Sequence, residues 1–581
     1  MRSKYIFFSI LASLSLASCN YLDYDETNNQ LMKEDIYKYF AGTKRMLTQV
    51  YSYMPQGYEP FSTLNGYSTE DLAMRDCASD DGEFGTTSAT VQYVNNGNWS
   101  AIRTYDTAWE LYEGIRVANG FIADVANVDL SRYEHDGNYD NWMRQLQYFS
   151  YEARVLRAYY FFELARRYGD IAMPLTVLTE NEANSIAKTS FDEVISFIVN
   201  ECNEAAQNLP VSYVNEPSSE IGRVTKGFAM AVKSKALLYA ASELHNPSMD
   251  TERWKTSAQA AWDIIESGMY RLDPSLVDAT TGNTFSTILT SPEVVLMRSN
   301  SSSNTFELYN FPLSYTNGQR SGSNIANTNF PSQNLVDAFE TVNGYTVTLG
   351  DNGWETEDPA FDPQAPYANR DPRFYRSVLA NGMTFKERII ETYEGGNDYY
   401  TSVTNGATPT GYFLRRYIDE TTSFETGSEL TTQHVWMIYR YAETLLTYAE
   451  SMLNAFGDPE YTDGTFQLSA RAALNQVRSN ADMPDITPCS ATEFRQHLYN
   501  EWRVEFAFED HRFWDVRRWK IGNDTQRELY GVRIVRENDG TYTYYRNLYE
   551  TRTWNDRMYL YPIPQDELYK NTNLNPQNTG W

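Results

Sequence analysis

The chain has 581 residues, a formal net charge of −29 at pH 7 and a hydrophobic content of 41%. This length is sufficient for one to three domains with large cores. The acidic balance argues against nucleic-acid binding, because phosphates require clusters of Lys and Arg. It equally argues against a polybasic attachment to anionic lipid, and an acidic surface of this kind fits an exported protein.

The first residues have the layout of an export signal. A basic region and an apolar run at 5–16 precede the tetrapeptide LASC, which ends at Cys19. An apolar run of about twelve residues is too short to span a bilayer, so we predict that residues 1–18 are a signal peptide removed on export. The ending resembles a bacterial lipobox, whose cysteine is acylated and anchors the protein in the membrane. The alternative is an ordinary secretory signal with a chance cysteine.

Residues 33–270 have the apolar periodicity of long helices, with side chains of this type recurring every three or four residues. Gly169 is a typical helix end, and Ser190 with Glu193 forms a capping box that predicts a helix start. The segment 56–100 is rich in Gly, Asp, Ser and Thr and is predicted to be a functional loop. The predicted helices lie at about 33–54, 101–125, 141–168, 190–209, 225–244 and 252–267.

Residues 271–432 differ in character, since they are rich in Asn, Gly, Ser, Thr and Pro and have little helical periodicity. We predict that they form an irregular, ligand-binding insertion of loops, short strands and a few short helices. Helical periodicity returns after the insertion. The helices predicted there lie at about 441–456, 468–480 and 491–510.

Paired helices on both sides of the insertion predict a mainly α fold. We expect the pairs to stack in a tetratricopeptide-like manner, although the strict consensus of about 34 residues is missing. A single domain then spans 33–581, with a helical scaffold at about 33–270 and 433–520 and the insertion at about 271–432. Residues 19–32, which include several acidic side chains, are predicted to be a lipidated acidic tether.

The cysteines and histidines show no metal-binding pattern. Cys77, Cys202 and Cys489 are too widely spaced for a metal site, and we predict that all three are small buried residues. The five histidines have no paired spacing. The DDG sequence at 80–82 offers oxygen ligands for a structural calcium ion, but EF-hand spacing is missing and solvated loop acids are the favoured interpretation. We therefore predict neither a cofactor nor a metal site.

Five stretches of the sequence, in one order along the chain, resemble the motifs of the SusD/RagB family of outer-membrane nutrient-binding lipoproteins. They are EARVLRAYYFFELARRYGDI at 152–171, RDPRFY at 370–375, YRYAETLLTYAE at 439–450, EWRVEFAFEDHRFWDVRRW at 501–519, and YPIP at 561–564 followed by NPQN at 575–578 and Trp581. The resemblance covers essentially the whole chain. It implies a surface-exposed, lipid-anchored outer-membrane protein that captures oligo- or polysaccharide and caps a SusC-like TonB-dependent β-barrel transporter.

These motifs carry opposite charges at helical spacing. Glu163 and Arg167 are four residues apart and Glu509 and Arg512 are three apart, positions where each pair supports a helix by only ~0.2–0.5 kcal/mol. We expect the arginines of the motif helices to pair with carboxylates on adjacent helices. His511 lies beside two aspartates and could be interpreted as a catalytic base, but a structural histidine is the favoured interpretation.

The ligand contacts do not follow from the motifs, because family members share the scaffold and vary the ligand surface. A sugar ring offers hydroxyls to hydrogen bonds and a C–H face to an aromatic ring, so the candidates are aromatic and polar side chains in irregular segments. They are Tyr58, Asp80, Asp81 and Trp99 in the loop 56–100, and Tyr315, Gln319, Arg320, Trp354, Tyr399 and Tyr400 in the insertion. Trp354 is interpreted either as an exposed platform or as a loop-packing anchor, and Trp99 either as a platform or as a hydrophobic staple.

Three other functions are alternatives to glycan binding. A glycoside hydrolase needs two carboxylates about 5 to 9.5 Å apart, but 77 acidic residues make close pairs inevitable, so their abundance supports nothing. The sequence has no nucleophile elbow, phosphate loop or dinucleotide motif in the required context, and we predict a binding protein that is not an enzyme. The alternative function is a peptide- or other nutrient-binding member of the same scaffold, and a purely structural transporter lid is also compatible.

Overall fold

A computed structural model describes residues 33–57, 72–213, 220–279 and 281–581 of the chain. Helices account for 43% of the structure and strands for 13%. The predicted mainly α fold is therefore confirmed. Within the described ranges, no helix combines the length and the apolar content needed to cross a membrane.

The N-terminal part is a stack of helices around the 30-residue helix Tyr139–Tyr168. In chain order its helices are α1 (Lys33–Tyr37), α2 (Phe40–Tyr51), α3 (Gln92–Asn95), α4 (Leu111–Val125), α5 (Tyr139–Tyr168), α6 (Glu180–Ala183), α7 (Phe191–Asn208), α8 (Lys226–Ala241) and α9 (Thr251–Ser267). Helix α5 packs against α2, α4, α7 and α8. Nearly every residue from Glu152 to Tyr168 is buried, which explains why this helix is apolar on most of its faces.

In its described residues, the insertion contains only short helices, and it has a small core of its own. Its helices are α10 (Phe285–Thr290), α11 (Thr305–Asn310), α12 (Gln333–Val336) and α13 (Pro372–Ser377). The core is largely aromatic and includes Phe311, Phe330, Phe385, Phe413 and Phe424. Because this cluster lies within the irregular region itself, the loops around it are held in place by packing.

The C-terminal helices continue the N-terminal stack. They are α14 (Tyr441–Phe456), α15 (Ala470–Asn480), α16 (Ala491–Glu505), α17 (Arg512–Arg518), α18 (Gly522–Thr525) and α19 (Gln565–Lys570). Helix α14 packs against α9 as well as against α15 and α16. The insertion thus separates α9 and α14 in sequence but not in space, and neighbouring helices follow one another from α4 to α16 as expected for a tetratricopeptide-like stack.

The strands form antiparallel two-stranded pairs. The pairs are β1 (Gly82–Phe84) with β5 (Asn329–Pro331), β2 (Ile171–Ala172) with β3 (Lys188–Thr189), β4 (Val294–Ser303) with β12 (Thr432–Arg440), β6 (Thr348–Gly350) with β7 (Gly353–Glu355), β8 (Val378–Leu379) with β11 (Phe413–Leu414), β9 (Thr384–Phe385) with β10 (Arg388–Ile389), and β13 (Glu528–Arg536) with β14 (Tyr542–Thr551). Strands β4 and β12 lie near the two ends of the insertion and pair with Met297 opposite Met437. This pairing brings those ends together beside α14.

Helix α4 begins ten residues later than the sequence predicts, at Leu111 instead of 101. Asp106 and Ala108 have φ values of +43° and +51°, which a right-handed helix does not adopt. The Asp106 carboxylate accepts hydrogen bonds from Arg75 at 2.8 Å and from Arg167 at 3.1 Å. The turn is therefore fixed by arginines that lie elsewhere in the chain.

Helix α16 is also shorter than predicted, because it ends at Glu505 and not at 510. Phe508 and Asp510 have φ values of +56° and +65° and turn the chain towards α17. The helix predicted at 33–54 is divided in a similar way, into α1 and α2. Apolar periodicity alone did not indicate either break.

Arg440, at the junction of β12 and α14, is the centre of a buried ion network. Its guanidinium contacts Glu293 at 2.7 Å, Glu505 at 2.5 Å and Glu509 at 2.9 Å. Burial by itself raises the pKa of Glu505, but Arg440 and Arg373 outweigh this effect and lower that pKa to about 2. The network joins the start of the insertion to α16 and the turn that follows it.

The prediction that motif arginines pair with carboxylates on other helices is confirmed. Arg518 on α17 contacts the carboxylate of Glu450 on α14 at 2.5 Å. Glu163 and Arg167 form the predicted pair within α5, with a separation of 2.8 Å. These buried contacts connect the helices of the stack.

Candidate functional site

A groove in the insertion combines an aromatic ring with polar side chains. Its volume is about 830 Å³, within the range of roughly 300–1,000 Å³ that is common for small-molecule sites. We call it the Tyr315 groove. It is lined by Ser314, Tyr315, Asn317, Lys386, Glu387, Arg388, Glu420, Ser423, Phe424 and Glu425.

The groove is built from tight turns that the aromatic core of the insertion supports. Tyr315 ends a short 3₁₀ helix, and Asn317 and Gly318 then reverse the chain with φ values of +48° and +73°. On the opposite side, β9 and β10 form a hairpin with Lys386 at its tip and a φ of +53°. Two turns are thereby brought face to face.

Tyr315 is held on more than one side. Its ring meets Phe385 edge to face at a centroid distance of 4.9 Å, and its hydroxyl donates to the Phe385 carbonyl oxygen at 3.1 Å. The guanidinium of Arg388 lies 4.3 Å from the ring centroid. Burial raises the pKa of Tyr315 to about 12, so the hydroxyl stays neutral. The half-buried ring is a rigid apolar surface at the groove.

Arg388 is itself fixed in place by a buried carboxylate. Its two terminal nitrogens donate to Asp398 at 2.8 Å each. Asp398 is fully buried and also accepts from Ser314 Oγ at 2.7 Å and from the Glu391 amide at 3.0 Å. A bidentate pair of this kind is strong and geometrically specific. The cation that covers Tyr315 is therefore preorganised.

Polar side chains surround the ring. Asn317 and Gln319 are exposed, and their amides donate to the Phe424 carbonyl oxygen at 3.3 and 2.8 Å. Glu387 and Glu425 are exposed carboxylates at the groove. Donors and acceptors thus lie beside a rigid aromatic surface, which is the combination that a sugar ring requires for its hydroxyls and its C–H face.

Three of the predicted ligand residues of the insertion do not line the groove. Arg320 is only 3% exposed and donates to the Tyr309 carbonyl oxygen at 2.8 Å. Burial lowers the pKa of Arg320 to about 10, with Tyr400 acting in the opposite direction. Tyr400 and Tyr399 are half-buried, and Tyr399 interacts electrostatically with Arg533 on β13. Arg320 is therefore assigned to the interior, which corrects its predicted ligand role.

Asp80 and Asp81 are buried, at 4% and 0% exposure, and not in a solvated loop. Arg503 contacts Asp80 at 3.0 Å and Asp81 at 2.6 Å, and Arg512 contacts Asp80 at 2.8 Å. Burial opposes ionisation of Asp80, but Arg503 and Arg512 hold its pKa below the usual range. Surface contact of these two aspartates with a ligand is thus contradicted, as is their interpretation as solvated loop acids.

The same contacts change one further expectation. Arg512 pairs with Asp80, so its predicted pair with Glu509 is wrong, and Glu509 contacts Arg416 at 2.9 Å instead. Within the described residues, no group of three or more potential metal-ligating side chains is close enough to hold an ion. Arginines occupy the positions around the DDG sequence where a calcium ion would have to bind.

Trp99 is a core residue, with 1% of its surface exposed. Its ring meets Tyr105, Tyr561 and Trp581 at centroid distances of 4.8 Å each, all edge to face or nearly so. Such contacts stabilise the interior and leave no face for a ligand. The predicted platform role of Trp99 is corrected accordingly.

Of the two interpretations of Trp354, on β7, the structure agrees with the loop-packing anchor and not with the exposed platform. Its ring is half-buried and contacts Phe361, Tyr367 and Tyr544 at centroid distances of 6.2, 5.9 and 5.8 Å. Its indole nitrogen is buried without a hydrogen-bond partner in the described part of the chain. Trp354 anchors the insertion against the β13–β14 hairpin and does not line the groove.

The remaining predictions concern Tyr58 and the cysteines. Tyr58 and Cys19 lie outside the described residues. Cys77 and Cys202 are buried as predicted, whereas Cys489 is half-buried, which corrects the prediction for that residue.

His511 is packed in the interior, as the favoured interpretation required. Its ring stacks on Phe506 at a centroid distance of 4.1 Å and on Trp502 at 5.7 Å. Burial holds the pKa of His511 well below its usual value. The contacts are those of a structural histidine.

The sequence interpretation missed the hairpin tip that forms one wall of the groove. Lys386, Glu387 and Arg388 were not singled out, nor were Glu420 and Phe424. The one local signal was the charged pair between Phe385 and Arg388, and a Lys-Glu turn is not among the favoured two-residue hairpin turns. This tip is brought to the groove by tertiary contacts, among them the packing of Tyr315 on Phe385 and the position of Arg388 over the Tyr315 ring.

Comparisons with known proteins agree on one family. The sequence pattern of the SusD family matches residues 292–581, and a pattern described as starch-binding associating with outer membrane matches residues 20–238. A SusD-like protein of Formosa agariphila is 23% identical over 582 residues, covering 100% of both chains.

Solved structures have the same overall fold. A SusD-like protein of Bacteroides fragilis superposes with a TM-score of 0.74 and 25% identity, covering 95% of this chain and 99% of the other. A SusD-like carbohydrate-binding protein of the same species superposes with a TM-score of 0.69 and 23% identity, covering 93% of this chain and 100% of the other.

Proposed function

Because this chain belongs to the SusD family, we propose that it is a cell-surface lipoprotein that captures glycan and delivers it to a SusC-like TonB-dependent transporter of the outer membrane. One matching pattern is described as starch-binding and associated with the outer membrane, and one structural neighbour is named a carbohydrate-binding protein. Cys19 would carry the lipid anchor. The proposed role is binding and release, without turnover of the glycan.

The Tyr315 groove is the observation that carries the binding proposal. The sugar would lay its C–H face against Tyr315, whose position is fixed by Phe385 and Arg388. Its hydroxyls would exchange hydrogen bonds with the exposed amide of Asn317 and carboxylate of Glu387. Since the ring and its covering cation are already in place, little conformational entropy is lost on binding.

The magnitudes suit a protein that captures a polymer and then releases it. Contact over about 100 Å² of apolar surface contributes roughly 2.5 kcal/mol at about 25 cal/mol per Å². A second contact and a few hydrogen bonds, less the cost of ordering, give a net ~4–7 kcal/mol, which corresponds to dissociation constants from about a millimolar to about ten micromolar.

The test compares Tyr315→Ala with the wild type in affinity gel electrophoresis and isothermal titration calorimetry. The probes are laminarin, soluble starch and xylan, with a tryptic peptide mixture as the competing ligand class. We expect at least one polysaccharide to bind and Tyr315→Ala to weaken its binding by about tenfold or more, since most of the ring contact is removed.

Tyr345→Ala is the matched control, because Tyr345 is an exposed tyrosine (40%) of the same insertion that does not line the groove. It should bind like the wild type. Equal binding by the wild type and Tyr315→Ala would exclude the groove, and retention of peptides alone would support the peptide-binding alternative. Release of reducing ends from a bound polysaccharide, lost on mutation of one carboxylate, would contradict a purely binding role.

A further inference from the structure

A second cavity lies in the helical scaffold, on elements that the Tyr315 groove does not use. It is enclosed by α4, the chain that runs from β2 to α6, and α19 near the C-terminus, and its volume is about 420 Å³. We call it the α4–α19 pocket. None of the ligand residues predicted from the sequence lines it.

The floor of the pocket is aromatic and aliphatic. The rings of Trp109 and Tyr112 meet at a centroid distance of 5.0 Å, and Trp109 is backed by Tyr168 at 5.3 Å. The Tyr112 hydroxyl donates to the Ala172 carbonyl oxygen at 3.2 Å, which fixes the ring against β2. Leu178 adds an aliphatic side chain. This floor offers an apolar surface to a ring-shaped ligand.

The walls are held by side-chain amides. Asn119 on α4 donates to the carbonyl oxygens of Pro174 at 3.0 Å and Thr176 at 3.1 Å. On the other wall, Asn571 donates to the Ile186 carbonyl oxygen at 2.8 Å. The irregular chain between β2 and α6 is thereby tied to helices on both sides, so contacts within the protein hold the walls of the cavity.

The rim carries charges that are already paired. Glu113 and Arg116 lie 3.7 Å apart on α4, and Glu567 and Lys570 lie 2.8 Å apart on α19. Glu180 adds one further carboxylate to the lining. A rim with three carboxylates and two cations repels an anion, and each cation already has a partner. Uncharged hydroxyl groups can bind both members of each pair without separating them.

We propose that the α4–α19 pocket binds a neutral mono- or disaccharide as a second carbohydrate site. An apolar floor, a polar but paired rim and a preformed cavity within the common size range of roughly 300–1,000 Å³ together fit a small uncharged sugar. The sugar lies with its C–H face on Trp109 and its hydroxyls at the rim. This inference rests on the proposed glycan-binding function, to which it adds a site on the scaffold.

The test uses the full mature chain labelled with 5-fluorotryptophan. The fluorine resonance of Trp109 is assigned by its loss in Trp109→Phe, and the protein is titrated with maltose, laminaribiose and cellobiose. We expect at least one disaccharide to shift the Trp109 resonance with saturation in the millimolar range. The Trp109 signal reports occupation of this pocket and not of the Tyr315 groove.

Ala183→Trp serves as the blocking variant, because Ala183 is an exposed residue of the lining and a large side chain there occupies the cavity. It should weaken the titration by about tenfold or more. Ala187→Trp is the matched control, since Ala187 is exposed on the same segment but outside the lining. It should titrate like the wild type.

Failure of this proposal is distinguishable from failure of the Tyr315 groove. A Trp109 resonance that none of the disaccharides shifts, or a shift that persists in Ala183→Trp, would overturn the pocket and leave the groove proposal standing. Tyr315→Ala should leave the Trp109 titration unchanged. If Tyr315→Ala retained full polysaccharide binding while Trp109 still shifted, the groove would be excluded and the pocket supported.

Discussion

His245 is a half-buried ionisable side chain whose ring forms no ion pair with any residue that the structure describes. The ring lies against Phe191 with centroids 3.6 Å and planes 3° apart, and its Nε2 has no hydrogen-bond partner in the part of the chain that the structure describes. Burial lowers the pKa of His245 to about 4, while Asp192 acts upwards and Arg253 downwards. The ordinary value of about 6.5 applies in the unfolded chain.

Protonation of His245 therefore favours the unfolded state. Between about pH 6.5 and pH 4 the unfolded chain binds a proton that the folded protein excludes, so the free energy of unfolding falls as the pH falls. The variant His245→Phe keeps the stacked ring but cannot titrate. From about pH 7 to about pH 5, we expect its free energy of unfolding to fall by about 2 kcal/mol less than that of the wild type. Urea unfolding at both pH values measures the difference.

The control for this prediction is His135→Gln, because the side chain of His135 is 94% exposed. It should show the same pH dependence as the wild type. If His245→Phe lost as much stability on acidification as the wild type, titration of His245 would not contribute to acid sensitivity.

At single residues, a contact between neighbours in the sequence could be predicted, whereas a contact between distant residues could not. Ser190 and Glu193 form the predicted capping box, with the serine amide donating to the glutamate carboxylate at 3.2 Å, because both partners lie within one turn. Asp80 has the composition of a solvated loop around it, yet its partner Arg512 lies 432 residues away. Because the burial of Asp80 depends on so distant a partner, it cannot be predicted from the residues around Asp80.

Secondary-structure elements could likewise be predicted where their own sequence specifies them, and not where tertiary packing does. The long helices α5, α7 and α14 were predicted within a few residues of their observed bounds, since apolar periodicity specifies them. The candidate site was only partly predictable. Tyr315 was identified by its chemistry. The β9–β10 hairpin that completes the groove was not identified, because the packing of Tyr315 on Phe385 of β9 brings it there.

At the junction of β12 and α14, Arg440 is the shared partner of three buried carboxylates. Removing its side chain leaves Glu293, Glu505 and Glu509 buried without their shared partner. We expect Arg440→Ala to lower the free energy of unfolding by about 3–5 kcal/mol, the usual effect of breaking a buried ion pair from one side. Chemical denaturation followed by circular dichroism measures it.

Arg533→Ala is the matched control, because its ion pair with Glu394 at 2.7 Å is about half exposed. Such pairs contribute roughly 0–1 kcal/mol. A loss of stability in Arg440→Ala no larger than that in Arg533→Ala would show that the buried network does not hold the insertion to the helices.

In the whole molecule, the insertion is attached to a helical scaffold whose parts before and after it in the sequence pack against each other. Helices α9 and α14 pack together although the insertion separates them in sequence, and β4 pairs with β12 near its two ends. The Tyr315 groove is formed by irregular segments of the insertion, whereas the α4–α19 pocket combines two helices of the scaffold with the chain between β2 and α6. The scaffold thus holds the irregular segments in place and also contributes side chains to the second proposed site.

Attachment to the membrane is expected to be separable from this folded body, and Cys19→Ala tests the separation. A chain with a formal net charge of −29 is repelled by anionic headgroups, so attachment would depend on acyl chains, which contribute roughly 0.8 kcal/mol per buried CH₂. The variant, exported with a signal peptide whose cleavage does not require lipidation, should leave the membrane fraction in cells that lack the transporter. Its thermal unfolding should match that of the wild type, because the ion network and the helices that the structure describes are formed by residues from Lys33 onwards.

Cys489→Ala is the control, since it changes a half-buried thiol of the folded body. It should stay in the membrane fraction. Retention of Cys19→Ala in that fraction would show that the anchor lies elsewhere.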